Sequence, residues 1–203
     1  MAIIASSSGN RDPIPEGVYA AVCTRVIDLG TQYNKVFGSK ARKVMISWEI
    51  PECTFMIDDN PMPRMISREF SLTLNNKSTL KPFLEGWRGK SFSDNELAGF
   101  DLGDVLKAPC QLQIIHNDAG YEKISSIMAL PKGVKKPLPA TETIYFDLTD
   151  PDCLNKIEKL PDWVKDKIKE SPEYQQIVSG ASSDADNSGE FIDLDINDED
   201  LPF

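Results

Sequence analysis

Ser78-Thr79-Leu80-Lys81-Pro82-Phe83-Leu84-Glu85-Gly86-Trp87 marks the point where the apolar spacing of the chain changes from alternating to helical. Leu80, Phe83, Leu84 and Trp87 recur at i, i+3, i+4 and i+7, which predicts one buried stripe on a helix. Ser78 and Thr79 are capping types, and Pro82 is tolerated only because it falls within the first turn. Ser93-Asp94-Asn95-Glu96 has the spacing of a capping box and predicts a further helical turn through Leu97 and Ala98.

Upstream of this stretch the period is two. From Gly17 to Asp28, Val18, Ala20, Val22 and Val26 point one way and Tyr19, Cys23, Arg25 and Ile27 the other, a strand with one apolar face. Lys43 to Ile50 sets Val44, Ile46, Trp48 and Ile50 on one face. Met65 to Leu74 is rich in β-formers, with Phe70, Leu72 and Leu74 together. Tyr33–Arg42 reads as a polar connection. Pro51–Arg64 reads as a long irregular one, with a turn signal at Asp58-Asp59-Asn60-Pro61. Downstream, Cys110–His116 and Tyr121–Leu130 form a hairpin around Asn117-Asp118-Ala119-Gly120. Three strands, a helix and two strands is the element order of an oligonucleotide-binding (OB) fold. The expected fold is therefore mainly β: a five-stranded OB-fold barrel with a helix between strands 3 and 4.

The remaining segments follow from composition. Residues 1–16, rich in Ser, Gly and Pro, are expected to be a flexible arm before a domain at 17–131. Pro131-Lys132-Gly133-Val134-Lys135-Lys136-Pro137-Leu138-Pro139 opens a basic, proline-rich linker, assigned to 132–150. A small helical annex is expected over 151–178, with Leu154, Ile157 and Leu160 on one side and Val164 and Ile168 after Pro161. Residues 179–203 are expected to be a disordered acidic tail, because Ala181–Phe203 holds eight acids and no Lys or Arg.

The charge is divided along the chain. Of a formal net charge of -10, residues 1–140 contribute 17 basic and 15 acidic side chains, a net of +2, and residues 141–203 contribute 5 and 17, a net of -12. The low isoelectric point therefore belongs to the C-terminal third and does not exclude a nucleic-acid-binding body. Four scattered cysteines (Cys23, Cys53, Cys110, Cys153) form no Cys-x-x-Cys, and His116 is the single histidine, so neither a zinc site nor any other metal is expected. Cys23 and Cys110 read as small core residues. The N-terminal apolar run, Ala2–Ala5, is too short for a signal peptide or a membrane span, and a reducing, cytoplasmic location without disulfides is expected. No Gly-x-x-x-x-Gly-Lys-Ser/Thr loop is present. Capping accounts for Asp94 and Glu96 in the acidic group with Asp101 and Asp104. Neither catalysis nor a cofactor is expected.

The chain ends Asp198-Glu199-Asp200-Leu201-Pro202-Phe203. An apolar hook on an acidic string needs a partner with an apolar slot and cationic side chains around it. This ending resembles the acidic tip of bacterial and phage single-stranded DNA-binding proteins. Phe83-Leu84-Glu85-Gly86-Trp87-Arg88-Gly89-Lys90 with Gly99-Phe100-Asp101-Leu102 is also similar to tailed-phage proteins linked to DNA replication and recombination. The resemblance implies a protein that coats single-stranded DNA during replication, recombination or repair, in the cytoplasm of a bacterial host if phage-encoded. It also implies recruitment of partner enzymes through residues 198–203. The long Pro51–Arg64 insertion, the annex and the lack of a Gly/Gln-rich linker depart from the bacterial tetramers and put a tetramer in doubt.

Single-strand binding needs cations for phosphates and flat rings for bases. The candidates are Tyr33, Lys35, Phe37, Lys40, Arg42 and Lys43 between strands 1 and 2, Tyr19 and Arg25 on strand 1, Arg64 and Arg68 about strand 3, Arg88 after the helix and Tyr121 at the last hairpin. Trp48, Phe70, Phe83 and Trp87 share faces with aliphatic residues and are assigned to the core. The rival readings are an OB-like adaptor that binds only protein, a strand-annealing protein, and an acidic DNA mimic. The last is disfavoured because the acids sit in the tail.

Overall fold

In the computed structural model, which describes residues 13–34 and 38–183, the chain is mainly β. Its strands are β1 (Gly17–Asn34), β2 (Ser39–Ile57), β3 (Asn60–Ser71), β4 (Pro109–His116), β5 (Glu122–Ala129) and β6 (Ile144–Phe146). They form one sheet in the order β3-β2-β1-β4-β5, antiparallel along that path, with β6 added parallel to β1 at Arg25–Ile27. The sheet is not closed by a backbone ladder. Helix α1 (Leu80–Arg88) packs against β5. Gly86 permits this, since a Cβ there would lie 2.9 Å from the Ile127 carbonyl. As the spacing predicts, Leu80, Phe83, Leu84 and Trp87 are buried, and Gly89 ends the helix with φ 67°. Helix α2 (Asp94–Ala98) carries the predicted Ser93–Glu96 capping box.

Strands β2 and β3 are longer than the spacing indicated. The expected irregular connection Pro51–Arg64 is instead a hairpin arm, its ladder running out to Ile57 opposite Asn60. Asp58 and Asp59 close it with φ of 46° and 63°, the geometry of a two-residue hairpin turn. Pro61 and Pro63 lie within β3, which among the described strands pairs with β2 alone, and an edge strand tolerates prolines. Pro51, Glu52 and Cys53 bulge between Ile50 opposite Arg64 and Thr54 opposite Pro63.

Strand β1 does not have one apolar face. A register shift between Cys23 and Arg25 inserts Thr24 as an extra residue. Val26 thereby joins Ala21 and Cys23 on the inner face, and Ile27 and Leu29 turn outward. The inner cluster gathers these residues with Val44, Ile46, Trp48, Phe70, Leu112, Ile124, Ile127 and the α1 stripe. At its centre Trp48 packs 5.6 Å from Phe83 and 5.6 Å from Trp87, centroid to centroid. Phe70 packs 4.7 Å from Phe83, but Leu72, predicted on the same face, is 39% exposed. Arg68 stacks over Phe70 and Phe83, and its Nη1 donates to the Ile124 carbonyl 3.3 Å away, bridging from β3 to β5.

The outward residues have their own cover. Ile27, Leu29 and Met45 form a second apolar cluster with Phe146, Leu148, Cys153, Ile157, Leu160, Val164 and Ile168. The last residues come from α3 (Cys153–Lys156), α4 (Asp162–Lys169) and the turns between them, and α5 (Pro172–Ser183) follows. Strand β6 lies inside the segment expected to be a linker, so the sheet has six strands, not five. Another part of that segment is strapped to the sheet. The buried Glu49 carboxylate accepts the Ala140 and Thr141 amides at 2.8 and 3.2 Å, and the Thr141 hydroxyl as well. Among the described residues no helix is long and apolar enough to cross a membrane.

Candidate nucleic-acid interface

The β1–β2 hairpin presents the clearest combination of ring and cation. Tyr33 and Lys40 are register partners near its tip, and Gly38, at φ 61°, turns the chain beside the Tyr33 hydroxyl. Tyr33 is 57% exposed, and Lys40 is exposed with no ion pair among the described residues. With Thr31, Gln32, Glu170 and Pro172 they line a cleft of about 220 Å³. The annex holds this hairpin in place. The Gln32 side-chain amide donates to the Leu29 and Lys167 carbonyls at 2.8 and 2.9 Å, and the Thr31 amide donates to Glu173 at 2.8 Å. Gly30 has φ 67°, and a Cβ there would lie 2.5 Å from the Ser171 side chain, so only glycine lets α5 come this close. Lys35 and Phe37 lie outside the described residues. Lys43 is half-buried between Gly30 and Ser71.

Most of the predicted guanidiniums are already engaged. Arg42 pairs with the buried Asp28, and that hydrogen bond holds its pKa above the ordinary value. It opens on a cleft of about 350 Å³ walled also by Asp101 and Asp147, a surface that repels phosphate. Arg88 pairs with Glu96 and stacks 4.4 Å over Phe92 and 5.1 Å over Phe100. Arg68 lies over the core rings, and burial lowers its pKa. Burial also lowers that of Arg25, which sits in register between Ser47 on β2 and Ile144 on β6. The Tyr19 hydroxyl donates to the Pro15 carbonyl at 2.9 Å while its ring packs on the inner cluster. Arg64 is half-buried where the β2–β3 arm begins.

At the β4–β5 turn, Tyr121 is 70% exposed. Asn117 Oδ1 accepts the Ala119 and Tyr121 amides at 3.0 Å, and Gly120 takes φ 81°. Lys123, two residues on, is also exposed and has no ion pair among the described residues. It is not among the sequence-predicted candidates; a ring and a cation at i and i+2 at the start of a strand are the signal that marks it. The two hairpins do not share one groove. Gly17 opposes Ile114 at one end of β1, and Asn34 opposes Ser39 at the other. The annex covers the outer face between them.

The sixfold acidic-apolar tip, Asp198, Glu199, Asp200, Leu201, Pro202 and Phe203, lies outside the described residues. Cys23 and Cys110 are buried in the inner cluster as predicted, and burial pushes the Cys23 thiol up to about 12. Among the described residues no group of His, Cys, Asp or Glu gathers as a metal site requires. Comparison of the chain with protein-family models, with curated proteins and with solved structures gives no match.

Proposed function

We propose that this protein binds single-stranded DNA with little sequence preference and acts as a non-catalytic coat during phage DNA replication, recombination or repair. The observation that carries the reading is the tip of the β1–β2 hairpin. There an exposed ring and a lysine with no ion pair among the described residues face each other across the ladder, while nearby Arg42 is neutralised by Asp28. A ring takes any base, and a lysine without a carboxylate is the one that gains by displacing a phosphate counterion. Tyr121 and Lys123, at the far end of β1, offer a second and separate contact for single-stranded DNA.

The β3-β2-β1-β4-β5 order, the helix between β3 and β4 and the Arg68 bridge towards β5 support reading the sheet as an OB barrel left open along one seam. The tail has two roles in this proposal. Its eight acids compete with DNA for the body's cations at high effective concentration, and Leu201-Pro202-Phe203 recruits partner enzymes.

The coverage of the outer face by the annex favours one rival, an adaptor that binds only protein. A gel shift separates the two. Oligothymidine is retarded in the first case and runs free in the second, and a matching duplex controls for non-specific charge. Recruitment is tested apart from DNA: Phe203→Ala weakens binding of the partner enzyme and leaves the DNA shift unchanged.

A further inference from the structure

The β2–β3 arm has no assignment in the function above, and its surface is unusual for a lone hairpin. Met56 is 63% and Ile57 47% exposed, directly before Asp58 and Asp59, which are exposed and have no ion-pair partners among the described residues. Neighbouring strand residues point to opposite faces, so the arm carries one exposed apolar side chain on each face just below an acidic tip, a contact surface suited to entering a cleft end-on. Pro61 and Pro63 remove donors from the β3 edge of the arm, so along that edge a contact forms through side chains and not by strand addition.

The complementary surface is at the arm's own base. A cleft of about 320 Å³ is lined there by Pro51, Glu52, Lys135, Lys136, Pro137 and Leu138, with Ala20 at its floor. Leu138 is 79% and Val134 43% exposed, and neither lysine has an ion-pair partner among the described residues. Ile57 lies five residue steps along the strand from Glu52, about 17 Å, so an arm cannot fold its tip back into its own cleft. The arm of a second copy, running antiparallel to the first, can reach it.

We propose that two copies of this chain associate by exchanging these arms. Met56 and Ile57 of one protomer cover Pro137 and Leu138 of its partner, and Asp58 and Asp59 meet Lys135 and Lys136. Arm and cleft adjoin on the same protomer, so one two-fold axis makes every contact twice and the assembly closes as a dimer. The occupant is a second copy because the acidic-apolar half and the basic-apolar half of the contact are both on this chain.

Sedimentation equilibrium of the full chain, across protein concentration and at low and high salt, tests the proposal. The wild type is expected to give a reversible dimer. Met56→Asp with Ile57→Asp gives a monomer. Asp58→Lys with Asp59→Lys, and separately Lys135→Glu with Lys136→Glu, each weaken association about tenfold, and combining the two charge reversals restores it. All these positions are exposed, and unchanged melting confirms that each variant folds. A wild type that stays monomeric into the high micromolar range overturns the proposal. So does a dimer indifferent to the variants, or a combined charge reversal that fails to restore association.

Discussion

The base and the tip of the β1–β2 hairpin are a few residues apart and carry similar side chains, but use them in opposite ways. At the base, Arg42 is tied to a buried Asp28 in a cleft with two further aspartates. At the tip, Tyr33 and Lys40 are exposed and make no ion pair among the described residues. A guanidinium already neutralised by protein has little to gain from a phosphate, because no counterion is released when they meet. Basic residues counted in a sequence are therefore not a count of phosphate contacts.

The strongest way to break this distinction is Tyr33→Ala. Loss of a stacked base costs about 1–3 kcal/mol, so oligothymidine affinity falls roughly 5- to 150-fold, with the melting temperature unchanged. Arg42→Ala gives the converse result. It strands Asp28 and costs about 1–2 kcal/mol of stability by denaturant titration, while DNA affinity stays within about twofold. Equal losses of affinity in the two variants would erase the contrast between base and tip. Ending the chain at Ser183, which keeps α5 whole, tightens binding on the order of tenfold at low salt, and the gain shrinks as salt rises. Lys40→Ala produces a smaller change, lowering the slope of log K against log salt by about 0.7.

The mildest effect concerns a group outside the hairpin. The Ser93 amide and hydroxyl, together with Arg88, hold the Glu96 carboxyl down at about 2. A folded pKa below the unfolded value adds stability above about pH 4.3, and that stability is lost as pH falls towards 2. Glu96→Gln is expected to flatten this part of an acid-denaturation curve measured by circular dichroism.

Elements with a clean period were legible in the chain. The α1 stripe, the Ser93–Glu96 cap, the Val44–Ile50 face and the β4–β5 turn each follow from local spacing alone. The rest depended on partners distant in sequence. Thr24 is an ordinary strand residue, and its bulge is set by pairing with β2. Pro61 and Pro63 look like strand breakers until β3 is known to be an edge. Strand β6 is three residues long and pairs with a strand more than a hundred residues earlier. At the site, the tip pair could be read from residue type, whereas the neutralisation of Arg42 by Asp28 and of Arg88 by Glu96 needed the fold. The annex shows the same limit, because its apolar stripe was visible while the Ile27, Leu29 and Met45 surface that receives it was not.

Fluorescence titration of oligothymidine onto the full chain and onto the chain ending at Ser183, across a salt series, tests the central claim most directly. The account predicts saturable binding by both, tighter without the tail at low salt, converging as salt rises and insensitive to base composition. Absence of binding by the shortened chain at low salt would contradict it.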